Sequence, residues 1–147
     1  MKLLVASFAL FSWLFNPVWF TDVNKAKEEA VQTGRPILIS FSGSDWCVPC
    51  IRMHKEIFEA EPFTKYAENN LVLVNADFPR SKKHQLSAAQ QQLNNALADR
   101  YNPKGIFPYT ILIDPTGKVL NQWEGYPDES AEKFVAELNS IKSNGNH

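Results

Sequence analysis

Strand-like runs that alternate with helical patterns, followed by a hairpin and a last helix, predict an α/β sandwich built on a central mixed β-sheet flanked by helices. Three short apolar runs, at 36–41, 71–77 and 109–114, have the length and composition of buried strands. Asp114-Pro115-Thr116-Gly117 marks a turn between the third run and a partner strand over 118–124. The length of 147 residues, with 44% hydrophobic and 21% charged, suits one core rather than two.

The elements follow in chain order. Lys2 precedes an apolar stretch over 3–15, too short to span a bilayer but long enough for the hydrophobic region of a signal peptide. Residues 1–15 are therefore expected to form a signal peptide or apolar leader, which points to export. The small-x-small pattern Ser7-Phe8-Ala9 falls inside the apolar run, so no cleavage site is placed, and a buried N-terminal strand or helix is the alternative. Residues 16–147 read as the domain. Thr21 or Asp22 caps a first helix carrying Val23, Ala26, Ala30 and Val31, which ends near Gly34. After the strand at 36–41 and a break at Ser42-Gly43-Ser44-Asp45, Ile51, His54, Ile57 and Phe58 recur at helical spacing until Pro62 interrupts. A shorter helix over 63–69, the strand at 71–77 and a helix over 87–101 carrying Leu93, Ala96 and Leu97 come next. The hairpin and a helix over 129–141, with Phe134, Val135 and Leu138, close the chain.

The candidate chemistry lies in Trp46-Cys47-Val48-Pro49-Cys50, whose two cysteines are the only ones in the chain. As a structural staple the pair would close so short a loop that it contributes only about 2 kcal/mol. As a redox centre the spacing is apt: thiolate exchange opens the small ring, and two thiols on one helical turn re-form it without rearranging the fold. Cys47 sits where a strand gives way to a helix. Unpaired N–H groups and the positive end of the helix dipole favour a thiolate there, lowering a thiol pKa from about 8.5 to roughly 3.5–7.5. Cys47 is thus the expected nucleophile and Cys50 the resolving thiol. Pro49 lacks an N–H, which costs little in a first turn.

At these residues the chain resembles the thioredoxin superfamily, and in particular its exported members. A second, distant segment carries the same resemblance: Gly105-Ile106-Phe107-Pro108-Tyr109-Thr110-Ile111-Leu112-Ile113-Asp114 looks like the family's cis-proline strand. The resemblance covers roughly residues 19–141 and implies a thioredoxin fold for the domain at 16–147. It further implies a cis bond before Pro108, with Phe107 and Pro108 beside the disulfide, offering backbone groups to a partner. Trp46, Val48 and Pro49 complete the implied substrate-binding surface. The segment 78–104 looks longer than in a minimal thioredoxin and could shape partner choice.

Two positions depart from the family pattern. Thioredoxins carry a buried aspartate in the strand before the redox pair that assists the resolving thiol; alignment on Phe41 puts Ser40 in its place. Asp45 is expected to face solvent or cap the helix instead. Val48 replaces the usual glycine, so the thioredoxin potential of about −270 mV does not carry over.

The function expected is thiol-disulfide exchange with protein dithiols or disulfides, aided by a redox partner protein, in the bacterial periplasm or the extracellular space; a cytoplasmic location stays open. The alternative is a non-enzymatic metal chaperone or interaction module on the same fold. Cys47, Cys50 and His54 fit C-x2-C-x3-H, with His84 or His147 as a further ligand, but His54 reads more simply as a half-buried residue on the packed helix face. Ile51 follows Cys50, which excludes covalent haem attachment by motif. No metal or cofactor is expected. A net charge of −1 provides no global field for nucleic acid, and no membrane span is expected once the leader is removed. The basic run Arg80, Lys82, Lys83, His84 reads as a solvated loop.

Overall fold

A computed structural model of the chain describes residues 16–144; the expected leader at 1–15 lies outside the described residues. The elements are β1 (Trp19–Phe20), α1 (Val23–Thr33), β2 (Ile37–Ser42), α2 (Val48–Met53), α3 (Glu61–Asn70), β3 (Val72–Asp77), α4 (Ala88–Tyr101), β4 (Tyr109–Ile113), β5 (Val119–Glu124) and α5 (Ala131–Asn144). A π-helical turn, His54–Phe58, extends α2, and a 3-10 turn, Lys82–His84, precedes α4. The sheet order is β1-β3-β2-β4-β5. β2 runs parallel to β3 and antiparallel to β4, so the sheet is mixed as expected. Among the described residues no helix is long and apolar enough to cross a membrane.

Local signals explain most boundaries. The Asp22 carboxylate accepts the Asn24 N–H at 2.9 Å and starts α1, and Gly34 ends it with φ 69°, a left-handed conformation that glycine adopts without steric cost. Ser87 caps α4 by accepting the Gln90 N–H. The Asp114 carboxylate accepts N–H groups from Thr116 and Lys118 and shapes the β4–β5 turn. β1 is an element the sequence reading lacks: two residues are too few for any periodicity, and they pair with Leu73 and Val74 of β3.

Both faces of the sheet are covered. Ile37, Ile39 and Phe41 of β2 join Ala26, Ala30 and Leu97 on the α1–α4 face. Leu38 joins Met53, Ile57, Phe63, Phe134 and Leu138 on the other, under α2, α3 and α5. The α2 face differs from expectation. Cys50, Met53, Ile57 and Phe58 are the buried positions, whereas Ile51 is 37% exposed and the His54 side chain 53% exposed. Trp19 packs against Phe58, ring centroids 5.2 Å apart, and holds the ground beneath His54.

Phe134 is fully buried, with its ring 5.0 Å from Trp123 and 6.2 Å from both Phe58 and Phe63. Phe134→Ala should cost about 3–5 kcal/mol of stability, read as a lower midpoint in urea denaturation, because α5 loses its anchor in this aromatic cluster.

Candidate active site

Cys47 and Cys50 form a disulfide, S–S 2.10 Å, at the start of α2. Cys47 is the N-cap: its backbone is extended, its Sγ accepts the Cys50 N–H at 3.3 Å, and its carbonyl accepts the Ile51 N–H at 3.1 Å. An N–H aimed at the sulfur favours the charged form of the thiol once the disulfide opens. Pro49 falls in the first turn, where its missing donor leaves no gap. Both cysteines are 4% exposed, so exposure does not distinguish them in the disulfide form. Their surroundings do. Val48, 73% exposed, and Pro49 stand open beside Cys47, while Cys50 lines a partly open cavity of about 320 Å³.

Trp46 is fixed from every side. Its indole N–H donates to the Phe78 carbonyl at 2.8 Å, its ring meets Phe107 edge-on at 5.5 Å, and the Arg80 guanidinium lies over it at 3.6 Å. Gly43 leaves the room: a Cβ there would come within 2.3 Å of the indole. Phe107 in turn packs edge-on against Phe78 at 5.5 Å. The Phe107-Pro108 bond is cis, as the resemblance implied, and Pro108 is buried in the wall of the cavity that Cys50 lines.

Several residues that hold this arrangement escaped the sequence reading. Asn102 is 4% exposed, and its side chain donates to the Ile106 carbonyl and accepts the Ile106 N–H, both at 2.9 Å, closing the loop before the cis bond. Asp77 accepts the Ser44 N–H at 2.9 Å and its hydroxyl at 2.6 Å, and so ties the segment after β2 to the end of β3. Nothing in sequence marks either residue, since both bonds join segments distant along the chain or within an irregular loop.

Asp45 is corrected by the structure. It neither faces solvent nor caps α2: its side chain is 9% exposed and accepts the backbone N–H groups of Arg80 at 2.9 Å and Ser81 at 2.8 Å, with His84 Nδ1 at 3.1 Å. The basic run is exposed, as a solvated loop would be, but Arg80 and His84 are also fastened to the site, and only Lys82 and Lys83 stand free of such contacts. The expected half-buried His54 is exposed, with Nε2 3.2 Å from Glu59. His54 shares the cavity wall with Cys50, His84 is bonded to Asp45, and His147 lies outside the described residues; no group of three metal-binding side chains occurs among the described residues.

Ser40 is 6% exposed and lines the cavity with Cys50. It pairs with Asn75 on β3 and Thr110 on β4, so three polar residues form a row across the sheet beneath α2. Asn75 shares the cavity wall, and the Thr110 hydroxyl lies 3.8 Å from the Met53 sulfur.

A family model described as a thioredoxin-like domain matches residues 23–142. The chain is 35% identical over 116 residues to the disulfide bond reductase DsbH of Chlamydia pneumoniae, covering 79% of this chain and 68% of that protein. It is 32% identical to the thioredoxin-related protein DsbJ of the same organism, covering 80% of this chain but 33% of that longer protein. A solved structure of a DsbH oxidoreductase superposes with a TM-score of 0.79 at 32% identity, covering 88% of this chain and 86% of the other.

The Asp45 contacts predict a pH dependence. The Arg80 N–H above all, then Ser81 and His84, holds the carboxyl below its usual range against the opposing effect of desolvation. A depressed folded pKa contributes stability that is complete above the unfolded value of about 3.9 and is lost as pH falls through the folded one. The stability gap between the protein and Asp45→Ala should therefore be full near neutrality and close in acid, in urea titrations at a series of pH values. A gap independent of pH would mean that the carboxylate charge does not hold this loop.

Proposed function

The chain belongs to the thioredoxin-like family and is a thiol-disulfide oxidoreductase, and we propose that it works as an exported reductase of protein disulfides, with Cys47 attacking and Cys50 resolving. The observation that carries the reading is the disulfide at the N-cap of α2, with the Cys50 N–H on Cys47 Sγ and open surface at Val48 and Pro49. In the reduced protein the Cys47 thiolate attacks one substrate sulfur; the new Cys47–substrate bond forms as the substrate disulfide breaks, and the other substrate sulfur leaves as a thiolate. Cys50, losing its proton, then attacks Cys47 Sγ, closing the Cys47–Cys50 bond and releasing the second substrate thiol. Two electrons pass to the substrate, and a dithiol partner protein returns them by the reverse exchange. The direction is supported by the likeness to a relative named as a disulfide bond reductase.

Trp46, Val48, Pro49, Phe107 and Pro108 form the substrate-contacting surface in this reading. Trp46 and Phe107 give it a rigid aromatic wall, and Val48 supplies exposed apolar contact. The apolar character of residues 1–15 supports a leader that directs the domain at 16–147 to the periplasm or extracellular space.

Alkylation of the reduced protein near neutral pH should modify Cys47 first, and Cys50→Ser should accumulate a mixed disulfide with a disulfide-bearing protein, both read by mass spectrometry. Labelling of Cys50 first would reverse the roles. Ser40 yields a second expectation. With a hydroxyl where the family carries an acid, resolution should be slow near neutral pH and quicken as pH rises. Ser40→Asp should speed it in single-turnover kinetics while lowering stability, because a buried carboxyl is costly to desolvate; superimposable pH profiles would show that another group already serves Cys50.

A further inference from the structure

We propose that the loop over 78–84 makes the redox site selective for partner segments that carry aspartate or glutamate beside the disulfide to be exchanged. The proposal rests on the reading of Cys47 as the attacking thiol. It starts from the way the loop is fastened. Asp45, two residues before Cys47, takes the N–H groups of Arg80 and Ser81 and the ring of His84. Ser81 accepts the Lys83 N–H at 3.3 Å and caps the 3-10 turn Lys82–His84, while the Arg80 guanidinium rests on the Trp46 ring. A free loop would spread its charge over many positions; this one is anchored at both Arg80 and His84.

The charge left facing outward is positive. Arg80, Lys82 and Lys83 are exposed and make no ion pair among the described residues. The two carboxylates at the foot of the loop are both engaged: Asp45, 9% exposed, by two backbone N–H groups and His84, and Asp77 by the Ser44 N–H and hydroxyl. A 3-10 turn rises only about 2 Å per residue, so Lys82 and Lys83 start close to the Asp45-bound His84. Fields between exposed charges reach about 10 Å at 0.1 M salt. The cations therefore act on the residues that flank a cysteine docked at Cys47 and have little effect on the remainder of a partner. The chain as a whole carries a net charge of −1, so this attraction is local to the redox rim. An acidic residue seated there meets Arg80 above Trp46, while the neighbouring apolar contact falls to Val48.

The experiment uses three disulfide-bonded peptides of equal length whose cysteines are flanked by aspartate, serine or lysine. Each is reacted with the reduced protein at low and high salt, and the second-order rate constants are compared. The expected order is acidic, neutral, basic, with the acidic peptide on the order of tenfold faster than the basic one at low salt and the spread narrowing at high salt. In Lys82→Gln/Lys83→Gln the spread should shrink, and in Lys82→Glu/Lys83→Glu the order should reverse, which separates the loop's effect from that of each peptide's own thiol reactivity. Equal rates for the three peptides with the unaltered protein, or an acidic preference undiminished in Lys82→Glu/Lys83→Glu, would overturn the proposal. Failure to reduce the neutral peptide would instead overturn the exchange reading, and the selectivity built on it.

Discussion

The placement of the sulfurs depends on β2 being unable to slide. It pairs with β3 over six residues and with β4 over five, and it is buried on both faces, Ile37, Ile39 and Phe41 to one side and Leu38 to the other. A shift of one residue would exchange those faces and put Ser40 among the aliphatic side chains of the α1–α4 layer, so the register is fixed by burial as well as by hydrogen bonds. The end of the strand at Ser42 is thereby fixed, and the Cys47 N–H reaches back to the Gly43 carbonyl at 2.9 Å to begin α2 at once. Only the segment between can move, and Asp77 grips it from the end of β3.

Asp45 and Trp46 extend that rigidity to the surface. Asp45 gathers the loop after β3, and Arg80 of that loop covers Trp46, whose indole bonds back to Phe78. The indole then walls Phe107, the residue before the cis bond. Three segments far apart in sequence, around residues 45, 80 and 107, so brace one another through one carboxylate and one aromatic ring. The carboxylate is half of that arrangement and faces inward, which is why a residue expected at the surface became a structural centre.

Legibility in the sequence followed the range of the interactions. The Cys47-Val48-Pro49-Cys50 turn, the ends of α1 at Asp22 and Gly34, the start of α4 at Ser87 and the apolar run of β2 are local, and each is visible in a few adjacent residues. The cis bond at Pro108 became legible only through the family resemblance, because sequence spacing places a proline at a strand's start without distinguishing its isomer. β1 and the Asp45 contacts were not legible at all. A two-residue strand has no period, and an aspartate whose donors lie 35 and 36 residues away looks like any polar residue before a helix. The misreading of His54 has the same origin: its helical spacing matched the apolar face, but Trp19 arrives from β1 to take the space beneath it.

Four polar residues are buried among the described residues: Ser40, Asn94, Asn102 and Thr110. Burying such groups is costly unless they are bonded, so their positions show where the fold forgoes apolar packing. Asn94 donates to the Asp77 carbonyl, supporting the residue that holds Ser44, and Asn102 closes the loop before the cis bond. Ser40 and Thr110 stand side by side beneath α2, in a layer otherwise filled by Leu38, Leu73 and Leu112. Valine at either position would extend that core by ordinary strand chemistry. The polar row interrupts it under the turn that holds Cys50, and Asn75 continues the row into the cavity Cys50 lines. The cavity beside Cys50 thus sets the polar groups of Ser40 and Asn75 among the apolar Trp19, Met53, Phe58 and Pro108, while Trp46 and Phe107 stand under a basic rim. A proton leaving Cys50 and a partner approaching Cys47 meet different chemistry on the two sides of one four-residue turn.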